Sequence, residues 1–505
     1  MPPSVLLTTE GTYPYQKGGV STWCDVLTWK LSDVDFTLLS VMMNPYLPQR
    51  YRIAPNVTLC PVPLWGTEHP AEFDDRVSFK EYLDRQWQAV PSAIVSDFVP
   101  VFDRFVQLAI SRGLDQPGDD RQRLAEAIVE LHDFFLSHDI HRVMFSREVW
   151  DAFDARLREL WTTCGDAAPE PMTAEIADAL RLLYRLLLVI AVPVPRTDIA
   201  HAAAAAFCGL PCAIARLKYG TPYLLTEHGV YIREQYINLR RTVQSTFVRW
   251  FMYRLFGAVT AVNYHVADQI SPVCAYNSRW ETWAGVPPER IRVIYNGADP
   301  ERFAPAPEAA PAVPTIVNVG LIYPLKGQVH LIEAAAEVRK KVPHVRVLLY
   351  GSSSDDAYMA LCQERVRELN LEHTVTFAGP TNEPWTAYQQ STVVALTSIS
   401  EAFPFAVVEA MLCGKVVVGS DTGGVLEALG DTGIAVRPGD TTGIAQALIW
   451  LLQSDVEREK LGQRARERAL ERFNQDTFLE AYRRTYDALY RDPHARGGST
   501  LSPAA

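Results

Sequence analysis

The chain has 505 residues, 48% of them hydrophobic and 21% charged, which excludes wholesale disorder and gives room for roughly two to four domains. Its 48 Lys and Arg stand against 59 Asp and Glu, a net charge of −11, so broad binding to nucleic acid or to an anionic membrane is not expected; a local basic pocket for phosphates is compatible with it. Eight cysteines are scattered without a Cys-x-x-Cys pair, and they read as buried reduced thiols rather than a metal or disulfide framework.

The first seven residues carry no basic segment and no apolar run of signal-peptide length. The most apolar long stretch, 180–195, holds Arg181 and Arg185 and is too short and too charged to span a membrane. The expectation is a soluble, cytoplasmic protein. Residues 5–9 form a first strand, which runs into the glycine-bearing loop 10–20 with Gly18 and Gly19. Trp23, Val26, Leu27 and Leu31 then recur at helical spacing, and 36–42 forms a second strand. Strand, glycine-rich loop, helix, strand is the opening of a doubly wound sheet.

Across about 66–190 amphipathic helical segments dominate, at 98–111, 121–136 and 174–188, separated by turn clusters such as 115–120. This is a helical insertion in an α/β domain, with capping a cleft, gripping an acceptor and meeting a partner protein as its open roles. The α/β rhythm resumes at Asp198. An alanine-rich helix leads to a strand at 222–226 that ends in Glu227-His228-Gly229, then a helix carrying 247–255, a strand at 258–262 and a short strand at 291–294.

The Pro/Ala run 304–314 cannot hold a regular helix or a central strand and reads as a semi-rigid linker. It divides an N-terminal domain, 1–303, from a second doubly wound domain, 315–474, with strands at 315–319, 345–350, 374–377, 393–397, 416–419 and 434–436. A last helix, 475–492, is placed to pack back on the first domain, and the small polar tail 493–505 reads as disordered. Two such domains offer two sets of strand C-terminal ends, suited to a nucleotide-bearing donor on one side and an acceptor on the other.

In 397–411 a strand ends, Glu401 sits in a loop, and a helix starts near Pro404 or Phe405, where free N–H groups and the helix dipole suit a diphosphate. Glu409 follows Glu401 by eight residues; such a pair suits neighbouring sugar or ribose hydroxyls, but alone the spacing is equally that of two ordinary helix charges. Asp33-Val34-Asp35 reads as a surface turn rather than a metal-binding Asp-x-Asp. No Gly-x4-Gly-Lys-Ser/Thr, His-Glu-x-x-His or Gly-x-Ser-x-Gly motif occurs. Trp23, Trp280, Trp283 and Trp385 suit core packing better than stacking on sugar rings.

In combination these segments carry a resemblance. The run from Glu401 through Glu409 to Glu427, the segment 293–299, and Lys326-Gly327 following Gly320 resemble the C-terminal half of retaining glycosyltransferases of family four. Thr8-Thr9-Glu10-Gly11-Thr12-Tyr13 with Gly18-Gly19, Thr226-Glu227-His228-Gly229-Val230-Tyr231, and Ser398-Ile399-Ser400-Glu401 narrow it to the Pel-type exopolysaccharide glycosyltransferases, over almost the whole chain except the tail.

The resemblance implies the GT-B fold: two facing Rossmann-like doubly wound domains, the first with a helical insertion. It implies sugar transfer with retention from a nucleotide-sugar, UDP-glucose being the usual donor, to a saccharide acceptor, with no obligatory metal, no separate cofactor and no nucleic-acid partner. A membrane-bound polysaccharide synthase complex is the partner it suggests. Lys326 is implied as the cation for the leaving diphosphate, joined by amides at the helix start near Phe405, by the Gly320 loop and by backbone at Gly18 and Gly19. His228 is implied beside the transferred sugar, Glu401 on its hydroxyls and Glu409 on the ribose. Substitution is implied to occur on one face, the leaving phosphate helping to deprotonate the acceptor, with no covalent carboxylate.

One position departs from the family pattern: Leu321 stands where an arginine is usual, five residues before the lysine. Arg292, Lys415 and Arg437 are the candidates to replace it. Its loss favours one rival reading, a non-catalytic subunit that binds a nucleotide-sugar or polymer; a second rival is a nucleotide-sugar epimerase of the same fold.

Overall fold

A computed structural model of the chain describes residues 3–67, 77–164, 169–306, 311–353 and 355–491. It divides into two compact units. The first holds the chain through Pro272, Arg279–Arg292 and the residues from Arg483 on; the second holds Val273–Ser278 and Val293–Tyr482. The expected linker falls partly on 307–310 and the expected tail on 493–505, both outside the described residues.

The first unit is built on a six-stranded parallel sheet in the order β3-β2-β1-β4-β5-β6. The strands are β1 (Ser4–Glu10), β2 (Asp35–Met42), β3 (Val57–Pro63), β4 (Ile199–Ala202), β5 (Tyr223–Glu227) and β6 (Gln269–Pro272). The central strands β1, β4 and β5 are buried almost end to end, as expected where helices cover both faces of a parallel sheet. Order reverses between β1 and β4, which opens the crevice where doubly wound sheets bind ligands.

Between β3 and β4 lies the helical insertion, with helices Phe79–Gln88, Val99–Arg112, Gly118–Ser137, Arg147–Cys164 and Thr173–Leu187. Its apolar faces join the sheet in one core: Leu6, Leu39 and Val62 of the strands cluster with Phe98, Phe102, Phe135 and Leu183.

The second unit repeats the plan. Its strands are β7 (Thr315–Val319), β8 (Arg346–Tyr350), β9 (Val375–Gly379), β10 (Val393–Leu396), β11 (Val417–Ser420) and β12 (Ile434–Val436), in the order β12-β11-β10-β7-β8-β9. All neighbours are parallel, and order reverses between β7 and β10. Two apolar clusters pack its opposite faces, one containing Ile316, Leu331 and Val347, the other Val394, Val407 and Met411.

Four local expectations differ. The stretch after Asp198 opens not in a helix but in β4 and a 3-10 turn, Phe207–Gly209, and the helix Leu210–Tyr219 comes only after them. Residues 258–262 are not a strand; they continue one helix, Thr246–Val266. Its middle is buried on every side, and Thr260 and Asn263 donate to the carbonyls of Ala205 and Ala206, so full burial erased the helical period and the β-branched residues read as a strand. The strand of that region is β6, just downstream. Residues 291–294 make only a single bridge, Ile291 to Ile270. β3 carries Pro61 and Pro63, which hid it from the sequence pattern; it is an edge strand, where missing N–H donors are tolerated. Asp33 lies in a turn, and its two carboxylate oxygens accept from both terminal nitrogens of Arg483, at 2.5 and 2.7 Å.

The last helix, Gln475–Arg491, has its first residues in the second unit and, from Arg483, its last in the first. Cys24, Cys60, Cys208, Cys212, Cys274, Cys362 and Cys413 are buried. Among the described residues no helix is long and apolar enough to cross a membrane.

Candidate active site

The crevice of the second unit is flanked by the loops that follow β7 and β10. After β7 the chain passes Gly320 and Leu321 and makes a short 3-10 turn, Pro324–Lys326, ending at Gly327. Gly327 is left-handed (φ 64°), and a Cβ there would stand 2.3 Å from the Thr397 carbonyl oxygen, so both conformation and space demand glycine. The turn is stitched to the loop after β10. The Ile399 amide donates to Leu325 O (2.8 Å), and the Thr397 hydroxyl to Gly327 O (3.1 Å).

That stitching sets Lys326 against Glu401. Lys326 Nζ donates to Glu401 Oε1 at 2.6 Å, and the Ser398 hydroxyl donates to the same oxygen at 2.6 Å. The carboxylate side chain is only 8% exposed, whereas the lysine is 32% exposed, so the ammonium remains open to solvent while its counter-charge is shut in. The loop carrying Glu401 is pressed from behind by Gly423 (φ 59°), whose added Cβ would lie 1.9 Å from the Glu401 carbonyl oxygen, and the Gly424 amide donates to Ala402 O.

Four residues after Glu401 begins the helix Phe405–Leu412, with Pro404 at its cap and no side chain capping its first amides. Its first amides and the positive end of its dipole lie at the end of the loop that carries Glu401. Glu409 lies one turn further on, half-buried. Its Oε2 accepts from the Tyr388 hydroxyl at 2.9 Å, and burial pushes its carboxyl up to about 7. Gly320, just after β7, has open space where a Cβ would be, while its carbonyl is closely approached by Gly351.

Leu321 is an exposed leucine, 42% accessible, at the position where a cation was expected. Of the candidate replacements, Lys415 is committed elsewhere: its ammonium donates to Gln389 O and Ser391 O, at 3.0 and 2.8 Å. Arg437 is exposed just beyond the end of β12, and Arg292 belongs to the first unit.

In the first unit Gly18 and Gly19 follow β1, Gly18 as the cap and Gly19 as the first residue of the helix Gly19–Lys30. No side chain caps that helix, and a Cβ at Gly18 would meet nothing within 4 Å, while the Gly18 backbone bonds the Tyr51 hydroxyl. Glu10, the last residue of β1, reaches across the β1/β4 crevice, where its Oε2 accepts from the Cys208 amide at 3.0 Å. Burial raises its carboxyl to about 7.

His228 follows β5, one strand from the crevice. It is half-buried; its Nε2 is sealed in without a hydrogen-bond partner among the described residues, and burial holds its pKa down at about 3, so the ring is neutral near pH 7. Its ring packs on Trp23, centroids 4.7 Å apart and planes at 75°.

Lys326, Glu401, Gly320, Phe405 and Glu409 belong to the second unit, where Lys326 and Glu401 are in contact, and Gly18, Gly19 and His228 belong to the first. Sequence reasoning missed Ser398 and Tyr388, which hold the two glutamates, and the glycines 327 and 423 that shape the loops. Only Gly327 carried a signal, the Lys-Gly pair at a turn. Trp23 is fully buried, Trp280 packs against the apolar cluster shared by the first sheet and the insertion, Trp283 is exposed, and Trp385 lies beneath the Arg302 guanidinium, whose carbon is 4.3 Å from the ring centroid. Among the described residues no group of three or more His, Cys, Asp or Glu is placed to hold a metal ion.

Residues 3–289 match the family described as "Domain of unknown function (DUF3492)", and residues 301–468 match the one described as "Glycosyl transferases group 1". The D-inositol 3-phosphate glycosyltransferase of Kineococcus radiotolerans is 32% identical over 242 residues, 43% of this chain and 55% of that protein. The N-acetyl-alpha-D-glucosaminyl L-malate synthase of Bacillus anthracis is 29% identical over 179 residues, 35% of this chain and 46% of that protein. The chain spans about half the length of the curated relatives it matches.

Among solved structures, a sucrose-phosphate synthase from Thermosynechococcus elongatus aligns with a TM-score of 0.59 at 19% identity, over 97% of this chain and 99% of that one. Anabaena Alr3699/HepE in complex with UDP-glucose aligns with a TM-score of 0.57 at 16% identity, over 96% and 100%. At such identities the likeness is one of fold.

Proposed function

We propose that this chain, which belongs to the DUF3492 family and carries a glycosyl transferases group 1 domain, is a retaining, Pel-type glycosyltransferase that moves a sugar from UDP-glucose to a growing exopolysaccharide. Its GT-B-like fold, two doubly wound parallel sheets with a helical insertion in the first, is that of enzymes working on nucleotide-sugars. The observation that carries the reading is the Lys326–Glu401 pair, set at the β7/β10 crevice beside an uncapped helix start.

In this reading the bond between the sugar C1 and the diphosphate oxygen breaks, and negative charge grows on the departing diphosphate. Lys326 and the amides at the start of the helix Phe405–Leu412 are already aimed where that charge appears, so no reorganisation is needed as it develops. Glu401 accepts from sugar hydroxyls with the oxygen that Ser398 and Lys326 leave unused, and Glu409 accepts from the ribose. The acceptor hydroxyl forms its bond to C1 on the face the diphosphate leaves, and its proton passes to a phosphate oxygen. His228, neutral, hydrogen-bonds the sugar rather than transferring a proton. The UDP-glucose bound by the Anabaena protein supports the choice of donor. A membrane-bound synthase complex as partner and a cytoplasmic setting belong to the same proposal.

The purified chain is expected to release UDP from UDP-glucose in the presence of a saccharide acceptor, with the product retaining the donor's anomeric configuration by NMR. An inverted product, or no turnover with any nucleotide-sugar, overturns the proposal. Leu321 favours a second reading, a subunit that holds a nucleotide-sugar without turning it over; binding of UDP-glucose by calorimetry without UDP release decides for it.

A further inference from the structure

We infer that Trp23 and His201 are positioning residues for His228, forming a buried relay that ties the sugar-side histidine to the last helix of the chain. This rests on the proposed placement of His228 beside the transferred sugar. His201 lies in β4 and is completely buried. Both of its ring nitrogens are engaged: Nδ1 with the Tyr486 hydroxyl at 2.7 Å, and Nε2 with the Thr226 hydroxyl at 2.8 Å. Burial holds its pKa down at about 3, so the ring is neutral near pH 7 and presents one donor and one acceptor. The sense of the bond to Tyr486 therefore fixes the sense of the bond to Thr226.

Thr226 stands two residues before His228 on the same chain, so one arm of the relay fixes the end of β5. The other arm runs through rings. The indole of Trp23 meets His201 edge-on, with centroids 5.3 Å apart and planes at 88°, and meets His228 at 4.7 Å and 75°. A fully buried indole set nearly perpendicular to two imidazoles leaves neither ring free to turn without moving it. Trp23 belongs to the helix that starts at Gly19, so the same residue couples the His228 ring to the helix start at Gly18 and Gly19. Ordinary core packing needs none of these polar senses.

The test is nitrogen NMR of the full chain labelled with 15N-histidine, together with steady-state transfer from UDP-glucose. In Trp23→Leu the His228 ring signals are expected to shift and broaden, and kcat to fall by about tenfold to a hundredfold with KM for UDP-glucose within about twofold. Trp23→Phe, which keeps an aromatic ring, restores most of both. In Tyr486→Phe, which keeps the ring but removes the hydroxyl, the tautomer signature of His201 changes and the His228 signals follow. His228 signals identical to wild type in folded Trp23→Leu overturn the inference. Should Trp23→Leu not fold, a His201 change in Tyr486→Phe that fails to reach His228 overturns it equally. If the wild-type chain transfers no sugar, the functional reading fails, while the NMR result still decides the relay.

Discussion

Glu401 and Lys326 form a pair whose two members differ in exposure, and that asymmetry decides what each substitution does. Lys326→Ala leaves a shut-in carboxylate that keeps its bond from Ser398, and removes the cation proposed for the leaving group. Turnover with UDP-glucose is expected to drop by about a hundredfold to a thousandfold, as for loss of one preorganised stabilising group. Glu401→Gln keeps the acceptor oxygen and loses the charge; it is expected to retain more activity than Glu401→Ala, and a UDP-release assay on both separates hydrogen bonding from charge.

Glu409 offers a pH test. Its carboxyl is raised by burial from the usual value near 4.5 to about 7, so the folded state holds a proton there that the unfolded state has given up. The stability this adds is present at low pH and is lost as pH climbs through 7. A glutamine side chain cannot ionise, and its amide oxygen can still accept from Tyr388, so in Glu409→Gln the difference in Tm from wild type should move in the variant's favour by about 2–5 °C between pH 5 and pH 8. Thermal melts of both proteins across that range check it.

Among elements, the turns after β7 and β10 carry the site because glycines let backbone touch backbone. Gly327→Ala forces a side chain into the Thr397 carbonyl at a left-handed residue. The expected result is a loss of about 1–3 kcal/mol in stability and a rise in KM for UDP-glucose as Lys326 shifts, read by denaturant melts and kinetics. The elements themselves were largely visible in the sequence. The strands of the second unit alternate cleanly with amphipathic helices, and Pro404 marks the start of the helix Phe405–Leu412. Where burial is complete, as in Thr246–Val266, the period that separates helix from strand is gone and 258–262 misread.

The site was legible to the same extent: Lys326-Gly327, Glu401, Glu409 and Glu227-His228-Gly229 stand out as motifs in order. Ser398 is near Glu401 in sequence, but Tyr388 reaches Glu409 across 21 residues and Gly423 reaches Glu401 across 22, contacts that no local pattern encodes.

At the scale of the whole molecule, the first unit takes in the turns Arg483–Arg491 of the helix Gln475–Arg491. The Asp33–Arg483 pair is half-exposed and is expected to contribute at most about 1 kcal/mol, measurable by a double-mutant cycle. The charge handling proposed for Lys326 and the helix amides leads to a further expectation, that transfer from UDP-glucose persists after EDTA treatment; full loss, restored by a divalent cation, would require a different account of the leaving group.

The single core shared by the helical insertion and the first sheet reaches beyond this reaction. Phe98, Phe102, Phe135 and Leu183 of the insertion pack in the same cluster as Leu6, Leu39 and Val62 of the strands. A protein engineer could therefore not clip the insertion out as a cassette to obtain a leaner enzyme: one side of the scaffold would be stripped bare to water and would aggregate. New specificity grafted here has to arrive by resurfacing those helices, residue by residue on their wet sides, with the oily seam left alone.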